Sequence, residues 1–236
     1  MDRFLEGKLA VVTGGTRGIG RAIAAALLRS GAAVAICARS AEAAERSAAE
    51  LAAEAGGKAV GTAADVSDPE AVRRFFAFVD ERLGGLDILV NNAGVGYFHS
   101  VADASIEEWN RTIGANLSGA FYCSREAMAR FRRRGGGFVV NISSLAGKNA
   151  IAGGAAYNAS KFGLNGFSEA MMLDHRYDNV RVSYVMPGSV ATAFAAGGAD
   201  WKIAPEDVAE VVMTILRMPE RTLVSAVEMR PSKPKR

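Results

Sequence analysis

Short apolar runs alternate with amphipathic stretches along the whole chain. Residues 9–13, 33–38, 58–64, 87–91, 138–142, 180–186 and, less clearly, 222–227 read as strands. Between them, residues 18–30, 41–55, 69–83, 106–134, 154–175 and 205–217 follow the helical period. Strands that are apolar without alternation belong to a parallel sheet covered on both faces. Seven β units separated by helices predict right-handed crossovers and an α/β fold. The expected architecture is a doubly wound parallel sheet of about seven strands with helices on both faces. Nothing in composition or complexity divides the chain, so one domain is expected over residues 1–230, followed by a solvated basic tail at 231–236.

Composition narrows the class. Of the 236 residues half are hydrophobic and 22% are charged, which supplies a large core and excludes disorder as the dominant state. The net charge of +3 is too small to argue for nucleic acid. Cys37 and Cys123 form neither a CxxC nor a disulfide framework and read as buried small hydrophobes in a reducing compartment. The N-terminus shows no secretory apolar stretch. The charge-free run 182–199 holds Pro187-Gly188 and Gly197-Gly198 and reads as a buried strand and a loop, not a membrane span. A cytoplasmic protein without membrane or nucleic-acid partners is expected. His99 and His175 lack metal-ligand spacing, and no HExxH or G-x-S-x-G is present, so no metal is expected.

The first strand empties into Thr13-Gly14-Gly15-Thr16-Arg17-Gly18-Ile19-Gly20, and a helix follows. Glycines there permit positive φ and let backbone approach a ligand. The helix start offers N–H groups and a positive dipole end to a pyrophosphate. The spacing G-x-x-x-G-x-G is not G-x-G-x-x-G. Gly15 and Gly20 have P-loop spacing, but Arg21-Ala22 replaces its Lys-Ser/Thr, which argues against kinase or NTPase chemistry. By itself such a turn also serves a purely structural purpose.

Further motifs in order along the chain make the sequence resemble the short-chain dehydrogenase/reductase family, over roughly residues 5–217. They are T-G-x-x-x-G-I-G at the first turn, Asp65-Val66, Asn91-Asn92-Ala93-Gly94, the W-x6-N-L-x-G that carries Asn116, Ser143-Ser144, Tyr157-x-x-x-Lys161, and Pro187-Gly188-x-Val190-x-Thr192. The resemblance implies a Rossmann-type fold that binds a nicotinamide dinucleotide. It implies cofactor contacts at Gly14, Thr16, Arg17, Gly18, Ile19, Gly20, Asp65, Val66, Asn92, Ala93, Gly94, Tyr157, Lys161, Pro187, Gly188, Val190 and Thr192. It also implies that Asn116 holds a water near Lys161, and that the chain forms a homodimer or homotetramer through the helices bearing Asn116 and Tyr157.

Tyr157 and Lys161 are four residues apart on an expected helix and share one face. A nearby ammonium favours the phenolate, so Lys161 is expected to draw the Tyr157 pKa down from about 10. Tyr157 then gives a proton to a carbonyl oxygen as hydride reaches carbon, or removes it in reverse. Ser144, thirteen positions earlier, is placed to stabilise the developing charge. Ser143 points elsewhere by strand alternation. Alone, a Tyr-x-x-x-Lys pair usually marks a solvated helix face; it is the company of Ser144 and the glycine turn that makes it chemical.

A carboxylate at the end of the second strand marks NAD-type sites. Here Ala38 holds that place and Arg39 follows; with Arg17 the cations favour NADP(H) over NAD(H). Segments 95–100, 145–151 and 189–201 should shape the substrate region, with Tyr97, Phe98 and Trp201 as walls and a short apolar lid over 193–204. That points to small uncharged carbonyl or alcohol substrates. Arg130, Arg132, Arg133 and Arg134 read as cations closing a helix C-terminus, with a docking patch for an acidic carrier protein as the other reading. The motifs resemble 3-ketoacyl carrier-protein reductases, but the ending Val227-Glu228-Met229-Arg230-Pro231 departs from that subgroup's glycine-rich terminus. The main expectation is an NADP(H)-dependent carbonyl reductase. A non-catalytic NADP(H) sensor and an NADP-linked epimerase remain the alternatives.

Overall fold

Val11 and Val12 are adjacent and both fully buried, yet they join different cores. Val12 packs with Ile23, Leu27 and Val212 on one side, and Val11 with Phe75, Phe76 and Phe131 on the other. A sheet with no wet face explains the unbroken apolar runs of the sequence. The computed structural model describes residues 3–194 and 200–234. Its strands are β1 (Leu9–Thr13), β2 (Ala33–Ala38), β3 (Ala59–Ala63), β4 (Ile88–Asn91), β5 (Gly137–Ile142), β6 (Val180–Pro187) and β7 (Ala226–Met229). They pair in parallel in the order β3-β2-β1-β4-β5-β6-β7. The order reverses between β1 and β4, the place where doubly wound sheets open a crevice for ligands.

Helices α1 (Gly18–Arg29), α2 (Ala41–Ala55) and α7 (Pro205–Arg217) supply the core on one face. Helices α3 (Pro69–Leu83), α5 (Gly119–Arg134) and α6 (Ala155–His175) supply it on the other. Local chemistry fixes their starts: the Asp68 side chain accepts from Glu70 N with Pro69 next in line, and Ser105 and Glu108 form a capping box for α4 (Ile106–Ile113).

Two expectations need correction. The helix expected over 106–134 is interrupted by a π-helical turn, Gly114–Ser118. A Cβ on Gly119 would stand 2.8 Å from Val66 Cγ2, so the wider turn lies where the coil presses on the segment after β3. The seventh strand is Ala226–Met229, not 222–227. Residues 219–222 form a turn closed by Thr222 N donating to Pro219 O at 2.8 Å, and Leu223 and Val224 pack onto the core before pairing begins.

Three of the four arginines in the cluster pair with acids. Arg130, 7% exposed, donates to both Asp80 oxygens at 3.1 and 2.8 Å and to Glu126, and its guanidinium lies 5.0 Å from the Phe76 ring. Arg134 grips Asp87, which also accepts from Leu9 N at 2.9 Å, and Arg133 reaches Asp80. Through these pairs the cluster ties α5 to α3 and to the amino ends of the inner strands β1 and β4, while Arg132 is exposed.

Candidate active site

The glycine turn between β1 and α1 is shaped by the strand next to it. Thr13 Oγ1 accepts from the backbone N–H of Asn92 and of Ala93, each at 3.0 Å. Asn92 Nδ2 donates to the carbonyls of Thr13 at 2.9 Å and Gly14 at 3.1 Å. Gly18 has φ +54°, which a side chain would strain. Gly20 has a different duty: a Cβ there would lie 2.3 Å from Gly14 O and 2.4 Å from Asn92 Nδ2. Gly20 therefore lets the helix approach the strand and is absent from the wall of the cleft, contrary to the expected contact.

That cleft has a volume of about 1510 Å³ and runs along the carboxyl ends of the strands. Gly14, Thr16, Arg17, Gly18, Ile19, Arg39, Asp65, Val66, Asn92, Ala93, Gly94, Pro187, Gly188, Val190 and Thr192 line it, together with Ser144, Tyr157 and Lys161. The sequence thus named most of the wall. It missed Arg111 and Arg230, which carry no motif. Arg39 and Arg111, with a stronger contribution from hydrogen bonds of Ser67, hold the Asp65 carboxyl below its usual range.

Ser144 follows the last residue of β5 but one, and its Oγ accepts from Ala146 N at 3.1 Å. Ser143 Oγ donates to Asn165 Oδ1 at 2.6 Å, although Ser143 also borders the cleft. Lys161 is 5% exposed, and its Nζ donates to the Ile142 carbonyl at 2.9 Å. Burial pushes its pKa down to about 8. The Lys161 ammonium lies 5.8 Å from the Tyr157 ring centroid. Tyr157 is pushed up rather than down: burial disfavours the phenolate, and hydrogen bonding from Ser144 draws it only partly back. The expected lowering by Lys161 is not realised in this state, because that side chain is itself desolvated and turned to the Ile142 carbonyl.

Asn116 sits under the cleft rather than in its wall. It is 2% exposed, donating to Val95 O at 2.9 Å and Ser160 Oγ at 3.0 Å and accepting from Val95 N at 2.8 Å. Asn158 and Asn165, which the motifs did not mark, clasp the loop beyond Ser144. Asn158 Nδ2 donates to Ala146 O at 2.6 Å and Asn149 O at 3.2 Å, its Oδ1 accepts from Ile151 N at 3.1 Å, and Asn165 Nδ2 donates to Gly147 O at 3.0 Å.

Phe98, Leu145, Ile151, Phe194 and Trp201 wall the side of the cleft near Tyr157. Tyr97 is absent from that wall; its ring lies 5.7 Å from the Arg111 guanidinium carbon. Residues 195–199 of the expected lid lie outside the described residues. Pro231 and Pro234 of the tail border the cleft. Among the described residues no cluster of three His, Cys, Asp or Glu is placed to hold a metal ion, and no helix is long and apolar enough to cross a membrane.

The site fits a dinucleotide. Arg17 precedes α1 without a side-chain cap on the helix, and the first turn has no acidic residue, so its N–H groups face the cleft with nothing to compete against an anion. The family model described as short chain dehydrogenase matches residues 8–202. Over 240 residues the chain is 37% identical to glycine betaine reductase ATRR of Emericella nidulans, covering 96% of this chain but only 19% of that longer protein. It superposes on an alcohol dehydrogenase of Thermococcus sibiricus complexed with 5-hydroxy-NADP at a TM-score of 0.89 and 32% identity, covering 97% of this chain and 99% of that one. A metagenomic short-chain oxidoreductase in complex with NADP gives a TM-score of 0.86 and 39% identity, covering 98% and 99%. The chain belongs to the short-chain dehydrogenase family of oxidoreductases.

Proposed function

We propose that the protein is an NADP(H)-dependent reductase of small uncharged carbonyl compounds, reversible as an alcohol dehydrogenase. The observation that carries this reading is the company Tyr157 keeps: it shares one cleft with the glycine turn, with Ser144 as hydrogen-bond neighbour and Lys161 behind its ring. When bound, the nicotinamide supplies or accepts the hydride. Tyr157 gives its hydroxyl proton to the carbonyl oxygen and recovers it in reverse. Its raised pKa keeps the phenol protonated at neutral pH, the form that reduction needs. Ser144 donates to the same oxygen as charge develops. Lys161 is close enough to favour the phenolate once its ammonium turns from the Ile142 carbonyl. Asn116 spends its amide on Val95 and Ser160, so it positions the segment after β4 against the helix that carries Tyr157.

The preference for NADP(H) rests on charge. Ala38 leaves the end of β2 without the carboxylate that takes ribose hydroxyls, and Arg39 and Arg17 line the cleft there. A homodimer through α5 and α6 belongs to the same reading, since Phe121, Phe162 and Leu173 expose large apolar surfaces on those helices. The test is to incubate the protein with NADPH or NADH and a panel of ketones, aldehydes and 3-oxoesters, following loss of reduced-nicotinamide absorbance. Turnover with NADPH supports the reading; tight NADPH binding without turnover across the panel supports a sensor instead.

A further inference from the structure

Three aromatic rings, those of Phe98, Tyr157 and Phe194, meet in the cleft. The Phe98 centroid lies 5.5 Å from that of Tyr157 with the planes at 57°. The Phe194 centroid lies 5.8 Å from Tyr157 and 6.4 Å from Phe98, edge-on to the latter at 88°. Phe98 and Phe194 come from segments far apart in the chain, after β4 and after β6, and each remains about half exposed, 47% and 48%. Two phenyl rings thus turn apolar surface into the open part of the cleft. Gly96 makes their seat: a Cβ there would stand 2.6 Å from Phe194 Cζ and 3.1 Å from Phe98 Cε2. The cations nearby are engaged elsewhere, Lys161 on the Ile142 carbonyl and Arg230 on Glu228 at 2.7 Å.

We propose that Phe98 and Phe194 form an aromatic slot that selects substrates bearing a planar aromatic group on the reacting carbonyl carbon, namely aryl ketones and aryl aldehydes. This rests on the reductase reading above. The oxygen protonated by Tyr157 is one bond from the carbon that receives hydride, so the substituent on that carbon lies against these rings. The carbonyl carbon gains a hydride from the reduced nicotinamide and the oxygen gains the Tyr157 proton, which solvent replaces; the product is the aryl carbinol. Offset and edge-to-face contacts reward a π-face beyond the area it buries. A saturated ring of similar size fills the slot without that reward.

The experiment compares kcat/KM for acetophenone and for cyclohexyl methyl ketone, with NADPH, in the wild type and in Phe98→Leu, Phe194→Leu and Gly96→Ala. Leucine keeps apolar bulk and removes the ring. The added methyl of Gly96→Ala pushes the far end of the Phe194 ring and crowds that of Phe98, so it disturbs the slot without emptying it. The acetophenone-to-cyclohexyl ratio should fall about fivefold in each leucine variant, the worth of one aromatic contact, and should also fall in Gly96→Ala. Variants that reduce both ketones at the wild-type ratio overturn the slot and leave the reductase reading standing. A wild type that binds NADPH and reduces no carbonyl compound overturns both.

Discussion

Lys161 donates from Nζ to the main-chain carbonyl of Ile142, the last residue of β5, at 2.9 Å and almost out of reach of water. Its burial depresses the ammonium pKa to about 8, against 10.5 for an ordinary lysine. Below pH 8 the folded protein carries a desolvated charge that the unfolded chain carries in water, which costs stability. The cost shrinks as pH rises above 8, and it vanishes near the ordinary value, where both states are neutral. Lys161→Met should therefore melt higher than the wild type at pH 6–8, by an amount on the order of 1–3 kcal/mol, with the gap closing toward pH 10. Equal pH dependence of the two melting curves would refute this.

Tyr157 carries the reverse pH signature. Its raised pKa keeps the phenol protonated at neutral pH. Carbonyl reduction should be flat around pH 7, while alcohol oxidation, which needs the phenolate, should climb as pH is raised from 7. Tyr157→Phe should cost about a thousandfold in both directions, within the range of general acid–base catalysis. Steady-state rates in each direction against pH check the sign.

Asn158 stands next to Tyr157 and clasps the Ser144 loop with three hydrogen bonds to main-chain atoms. Truncation leaves the Ala146 carbonyl, now buried, without its donor. Asn158→Ala should lose about 2–3 kcal/mol of stability, as a buried polar contact does when one partner is removed. Denaturant titration reads the loss, and kcat should fall as Ser144 loses its fixed place.

Arg39 lines the cleft beside Ala38, the place where a carboxylate for the ribose hydroxyls would otherwise stand. Arg39→Glu should raise the KM for NADPH by at least about tenfold, the scale of one charge-assisted contact, and leave that for NADH little changed or lower. Equal effects on the two would remove the basis for the phosphate preference.

The sheet was legible because strands buried on both faces leave unbroken apolar runs, as Val11 and Val12 illustrate. Strand β7 was misplaced because Leu223 and Val224 are just as apolar as a strand but pack ahead of it. The π-turn around Asn116 was illegible because the helical period runs through Gly114–Ser118 without a break. Ser144, Tyr157 and Lys161 were found by motif, and the cleft does bring them together. The direction of the Tyr157 shift was not, since spacing on a helix reports proximity to Lys161 and nothing of desolvation. Asn158 gave no signal of its own, and Phe194 was legible only as part of the apolar segment after Thr192; their importance lies in what other parts of the chain place against them.

Thr13 and Asn92 are 79 residues apart, and the glycine turn keeps its shape only where they meet. During synthesis the residues of that turn leave the ribosome before β4 does, and they wait for it before they have a wall to lean on. A fragment ending before β4 holds the full glycine motif without its cradle. The glycine turn and its cradle are therefore not one contiguous stretch that could be cut out and grafted elsewhere; they come together only when β1 and β4 lie side by side.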